Sequence, residues 1–181
     1  MANTYELIET KTITGGTNFT FSGIPSTYKD LHLLWSGKET YSAGGGAINF
    51  VMQFNGIATD YQTRNVYTYG ASSRVSESPT TITLQGVTGA RLCYGNNSSF
   101  GAGQTGLYSS GSLYVPNYAS NKNKAWSCDT AIEDNNTLVN TVFFSGGVWT
   151  YSGSPAISSI TIGTEVGTFI SPSTFYLYGI K

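Results

Sequence analysis

The chain carries a single histidine, His32, which limits its chemistry before any fold is considered. A Ser-His-Asp relay would have to be built on this one imidazole, because the base must stand between nucleophile and acid. His32 lies in the apolar run LHLLW at 31–35 with no nucleophile motif beside it, and reads as a structural or surface residue on a strand. Zinc is disfavoured too, since one histidine and two cysteines far apart in sequence, Cys93 and Cys128, do not close a tetrahedral site. The cysteines form no CxxC pair and read as reduced, buried thiols.

The chain has 10 acidic residues. Glycoside hydrolysis needs two carboxyls about 5–10 Å apart. Asp129 with Glu133, or Asp60 with another strand acid, are the pairs to consider against the plainer reading of solvated loop and edge carboxylates. The run DTAIEDNN at 129–136 is rich in oxygen and suggests calcium, but it lacks the glycine-centred loop of an EF-hand. GAGQTG at 101–106 does not match a phosphate-binding GxxxxGK[ST] loop and precedes a strand, so no helix dipole faces an anion there. No catalytic, metal-binding or cofactor-binding residue is assigned. The aromatic residues are the most suggestive feature. Trp149 and Tyr151, next to Gly146-Gly147, read as an exposed pair on a loop, and Trp126 is a further candidate for surface binding.

The elements that must position these residues are strands. Across 181 residues there are 22 Gly, 13 Tyr, 9 Phe and 3 Trp, with a quarter of the chain made of Ser and Thr. Only 10% of the residues are charged, too few for a coiled coil or helical bundle, and no apolar run approaches the ~20 residues of a membrane helix. The net charge of −1 supplies no basic field for nucleic acid or an anionic membrane. The N-terminus has no apolar signal segment, so synthesis in a cytoplasm is expected.

Period-two patterning predicts strands at 5–13, 18–22, 30–36, 48–55, 61–69, 80–85, 90–94, 106–115, 125–133, 138–144, 157–162 and 174–180. In INFVMQFN at 48–55, Ile48, Phe50, Met52 and Phe54 share a face directed at the core. Asn55-Gly56 predicts a type I′ hairpin turn, and Gly44–Gly46, Gly95–Gly106 and Gly146-Gly147 read as loops or tight turns. No linker, charge run or fixed-period repeat divides the chain. The prediction is one all-β domain over 1–181, an antiparallel two-sheet β-sandwich of jelly-roll type.

Six ordered segments carry a resemblance: TYELIETKTIT at 4–14, IPSTYKDL at 24–31, FNG at 54–56, LYVPNY at 113–118, PAISSITI at 155–162 and STFYLYGIK at 173–181. Together they resemble small β-rich virion proteins of tailed bacteriophages, a group frequent in cyanophages and other marine phages. The resemblance implies a jelly-roll-like fold, a structural role in the virion and no enzymatic activity. Members serve on capsid exteriors and on tail appendages.

The first expectation is a capsid decoration or cement protein, because the chain enters its first strand with no coiled-coil or fibre shaft before it and must dock through a face of its own domain. A tail appendage or receptor-binding tip is the alternative, and a carbohydrate-binding module recognising host glycan is the third. Expected partners are the major capsid protein or tail proteins, with homo-oligomerisation as a trimer at a three-fold position.

Overall fold

The computed structural model describes residues 4–40, 48–69, 72–78, 89–95, 108–132, 142–165 and 167–181. Its strands are β1 (Tyr5–Ile13), β2 (Asn18–Ser22), β3 (Asp30–Gly37), β4 (Glu39–Thr40), β5 (Ile48–Phe54), β6 (Tyr61–Tyr69) and β7 (Ser72–Ser78). They continue with β8 (Ala90–Gly95), β9 (Ser109–Val115), β10 (Lys124–Ile132), β11 (Val142–Trp149), β12 (Ser159–Thr164), β13 (Thr168–Phe169) and β14 (Ser173–Ile180). Among the described residues there is no helix.

The large sheet has eight strands in the order β1-β14-β3-β9-β10-β11-β6-β7, and the small one has four, β2-β12-β5-β8. All pairings are antiparallel. Taken in chain order, β1, β2, β3, β5, β8, β9, β12 and β14 form a jelly roll. The first, eighth, third and sixth of these make one sheet, and the second, seventh, fourth and fifth make the other. The strands β10, β11, β6 and β7 continue the large sheet beyond β9.

The core forms where the inward residues of the two sheets meet. Leu31, Leu33 and Trp35 of β3 alternate inward, as do Phe50, Met52 and Phe54 of β5, Ile160 and Ile162 of β12, and Phe175 and Leu177 of β14. Aromatic rings close one end of it, with the Phe19 and Phe175 centroids 4.6 Å apart and Phe169 packed on both. Asn55 and Gly56 adopt the positive φ values of 54° and 70° that a type I′ turn requires. The hairpin extends only to one bridge, Phe54 to Ile57, because β5 and β6 then enter different sheets. The Tyr61 hydroxyl clasps this turn, accepting from Phe54 N at 2.7 Å and donating to Ile57 O at 3.0 Å.

The expected turn at Gly146-Gly147 is instead the middle of β11. A side chain at Gly147 would put its Cβ 2.1 Å from Gln62 O and 2.8 Å from the Trp126 ring, so glycine here makes room for an indole. The strand β7, SSRVSES, was not predicted, and the reading of 138–144 as a strand moves to β11. The predicted strand at 80–85, the loop at Gly44–Gly46 and the GAGQTG segment lie outside the described residues.

The six segments that carry the resemblance are joined to one another in space. Lys181 Nζ donates to Glu6 Oε1, and the Tyr28 ring lies against Gly179. Asp30 accepts from Tyr114 OH at 2.6 Å and from Asn117 N at 2.8 Å, while Tyr118 OH donates to Pro25 O. Ile157 N donates to Tyr118 O at 3.0 Å, and Asn55 Oδ1 accepts from Ser158 N at 2.8 Å and Ser159 N at 3.1 Å.

Candidate functional site

The aromatic residues singled out in the sequence are core residues. Trp149 is 1% exposed and Trp126 3%. Trp149 ends β11, where its indole stacks on Tyr61 at 6.1 Å and on Tyr151 at 5.6 Å. The expected exposed pair is therefore corrected: Trp149 is buried, and Tyr151, half-buried, covers its ring from the loop side. The reason is the one that displaced the turn. With Gly146-Gly147 in extended backbone, Trp149 stays in strand register and its side chain enters the sandwich. Trp126 fills the space left above Gly147, and Trp35 fills the same kind of space above Gly111. All three indoles of the chain are thus inside.

His32 lies on the outer face of β3, beside Tyr5 at 5.8 Å and Tyr114 at 6.3 Å between ring centroids. Partial burial lowers its pKa, and the charge of Asp129 acts in the opposite direction. Leu34, not His32, stands opposite Ser112. The Ser112 hydroxyl donates directly to Asp129 Oδ1 at 2.6 Å, so serine and acid meet without an imidazole between them. Glu133 lies outside the described residues, as does the rest of the oxygen-rich run beyond Ile132. Asp60 is on an exposed turn and accepts from Thr59 Oγ1 at 2.8 Å. Cys128 is a free, buried thiol, so it is not bridged to Cys93; burial pushes its pKa up to about 12.

The outer face of the large sheet holds what the sequence reading missed. The exposed large hydrophobic residues among those described are Tyr5, Leu7, Val66, Phe144 and Tyr176, and every one lies on this face. Cross-strand pairing lines them up. One row runs Thr10, Tyr176, Leu34, Ser112, Asp129, Phe144, Val66 across β1, β14, β3, β9, β10, β11 and β6. The next runs Leu7, Tyr178, His32, Tyr114, Ser127. At about 4.8 Å per strand the first row is roughly 29 Å long, the width of a protein–protein contact rather than of a small ligand.

An open groove of about 400 Å³ lies in the middle, lined by Leu34, Ser112, Asp129, Ala131, Val142 and Phe144 among others. The opposite surface differs. Among the described residues, the outer face of the small sheet presents Asn18, Thr20, Ser22, Gln53, Ser159 and Thr161 beside a buried Val51, with the Thr20 and Thr161 hydroxyls bonded at 2.8 Å.

An antiparallel sheet with one solvated face ordinarily alternates apolar and polar residues. The runs LHLLW, VFF and FYLY break that alternation, and this was the available signal for an unusual outer face. Chemically the face offers aromatic and aliphatic area, a hydroxyl-rich surround and one central carboxylate. That arrangement suits burial against another surface. No protein-family model matches the chain, and neither does any curated protein or solved structure.

Proposed function

We propose that the protein is a structural component of a tailed-bacteriophage virion, a decoration or cement protein that docks on the capsid exterior through the outer face of its large sheet. The observation that carries this reading is the segregation of the exposed large hydrophobic residues among those described onto that face, while the described part of the small sheet presents hydroxyl and amide groups. Apolar patches of this kind mark interaction surfaces. The resemblance supports the station on a virion, and the rigid jelly roll suits a module whose whole face is its binding element. A homotrimer at a capsid three-fold position belongs to the same proposal. The burial of Trp149 and Trp126 removes the loop-borne aromatic residues on which the glycan-binding alternative was based.

The test compares rebinding of purified protein to particles stripped of it, with heads and isolated tails assayed separately. Wild type is expected to bind heads over a wide range of salt and to raise their resistance to heat, because a ligand preferring the assembled shell stabilises it. Phe144→Ser combined with Tyr176→Ser is expected to weaken binding at least roughly tenfold, since buried aromatic anchors dominate interface energy. The double variant's own melting should stay near wild type, both side chains being exposed. Binding to tails alone would move the protein to an appendage, and undiminished binding of the double variant would remove this face from the proposal.

A further inference from the structure

Among the described residues that line the groove on the outer face, Asp129 alone is charged, and its neighbours along the walls are Leu34, Ala131, Val142 and Phe144. Cross-strand register places it fifth of seven in the row from Thr10 to Val66, inside the apolar face rather than at its rim. It stands directly between Ser112 of β9 and Phe144 of β11. Side chains paired in this way have Cβ atoms about 4.5–5.5 Å apart. Phe144 is 54% exposed, so aromatic surface is open to solvent beside the carboxylate.

The negative charge has no cation of its own among the described residues. Asp129 Oδ1 accepts from the Ser112 hydroxyl at 2.6 Å, a neutral donor. The ion pairs of Lys11 with Glu9 and of Lys181 with Glu6 lie at the far edge of the sheet, on β1 and after β14. Arg64 of the same face is two strands away on β6, opposite Gly146. His32 in the next row has its pKa lowered by burial and is neutral at pH 7. In water Asp129 keeps its hydration and this arrangement costs little. Beneath a docked surface the water is lost, and burying a carboxylate is expensive unless a counter-charge takes the water's place. A partner that covers this row therefore has to bring a cation to Asp129.

We propose that this cation is an arginine side chain of the capsid shell, its guanidinium on Asp129 and Phe144 and its stem along the groove toward Leu34; the contact deepens the function proposed above and rests on it. A guanidinium offers a carboxylate two parallel N–H groups, and its plane stacks on an aromatic ring such as the neighbouring Phe144. It is also more weakly hydrated than an ammonium and so gives up its water more readily. The aliphatic stem suits the apolar walls, and the groove of about 400 Å³ has room for it. A pair sealed at the centre of an interface is screened little by salt, so binding over a wide salt range is still expected.

The experiment measures rebinding of the whole chain to stripped heads for Asp129→Asn and Asp129→Leu, beside wild type and the Phe144→Ser, Tyr176→Ser double variant. The direction of the leucine effect is decisive. Removing a carboxylate that docking buries unpaired would tighten binding, whereas removing one that holds a guanidinium strands that cation and weakens it. Both Asp129 variants are expected to bind at least about thirtyfold more weakly, while their own melting stays close to wild type because Asp129 is exposed. Capping the arginines of the heads with 1,2-cyclohexanedione should weaken wild-type binding to a similar extent, and hydroxylamine, which removes the cap, should restore it. The same capping should cost Asp129→Leu little more, since the two changes remove one contact. Acetylating the head lysines should leave wild-type binding unchanged. Undiminished or tighter binding of Asp129→Leu, with the double variant still defective, overturns the arginine contact and leaves the docking face standing. Loss of binding on lysine acetylation, with arginine capping harmless, overturns the choice of arginine. Wild type that binds no heads, or a double variant that binds them as wild type does, overturns the docking reading and the arginine contact with it.

Discussion

Replacing Gly179 by alanine tests whether the segments bearing the resemblance are a packed unit or merely neighbours. An added Cβ would meet three atoms of the Tyr28 ring at 2.3, 2.4 and 2.5 Å. Carbon atoms rest about 3.5–4.0 Å apart, so the ring must retreat by at least about 1 Å. The atoms struck include Cγ, at the root of the side chain, so a bend at its tip does not relieve the clash. Overpacking of this kind costs about 1–3 kcal/mol, which for a chain of this size lowers the melting midpoint by about 2–12 °C. The assay is a double-mutant cycle in thermal or urea unfolding. Tyr28→Ala removes the obstacle, so Gly179→Ala made in that background should cost almost nothing, giving a coupling energy of about 1–3 kcal/mol. Gly15→Ala, whose Cβ meets nothing within 4 Å, is the control and should change stability by less than about 0.5 kcal/mol. Wild-type stability in Gly179→Ala, or an equal loss with Tyr28 absent, would refute the reasoning.

Three further outcomes follow from side chains already described. With its pKa near 12, Cys128 should resist alkylation at pH 8 in the folded protein and react once unfolded, as read by peptide mass mapping. The bond from Tyr114 to Asp30 chiefly raises the phenol from its ordinary 10.0 to about 12. It exists only while the phenol is protonated, so its stabilising effect is whole below pH 10 and fades as pH rises through 12. Asp30→Asn should therefore bring one tyrosine to titrate earlier, visible as a difference in phenolate absorbance. Lys124 is fully buried with its ammonium donating to the carbonyls of Ser120, Lys122 and Ser154. Lys124→Met should cost about 2–3 kcal/mol in urea unfolding, and arginine should not rescue it, because its planar fork does not fit a site made for a compact ammonium.

The fold was legible wherever one face of a strand was buried and the other was not. Phe50, Met52 and Phe54 in INFVMQF and Leu31, Leu33 and Trp35 in DLHLLWSG mark the buried face, and β5 and β3 begin where that spacing begins. The strand β7 escaped because SSRVSES contains one apolar residue and so no period. Gly146-Gly147 misled for a different reason: in sequence a glycine pair looks the same whether it frees a turn or leaves space for an indole on the neighbouring strand. The candidate docking face was hidden by the very feature that makes it notable. Leu34, Phe144 and Tyr176 stand in apolar runs whose meaning strand by strand is ambiguous, and cross-strand register lines them up on one outward face. Glu39 left no trace at all, since a lone glutamate in a short polar run reads as a surface residue until burial is known.

The position of β14 has a consequence for how the chain acquires its structure. This last strand lies between β1 and β3, so the large sheet is closed by the segment synthesised after all the others. Until it arrives, β1 has no neighbour in that sheet, and β3 shows one bare edge to solvent with Leu31, Leu33 and Trp35 still uncovered on one side. A nascent chain cannot settle this topology piecemeal from its beginning. The loop-closure entropy of joining remote segments must be met before their contacts repay it, and such folds are slow and exposed to aggregation while they wait. The sparse charge of the sequence leaves little repulsion to keep incomplete chains apart. Yield during synthesis should thus depend more on temperature and chain concentration than the finished sandwich would suggest.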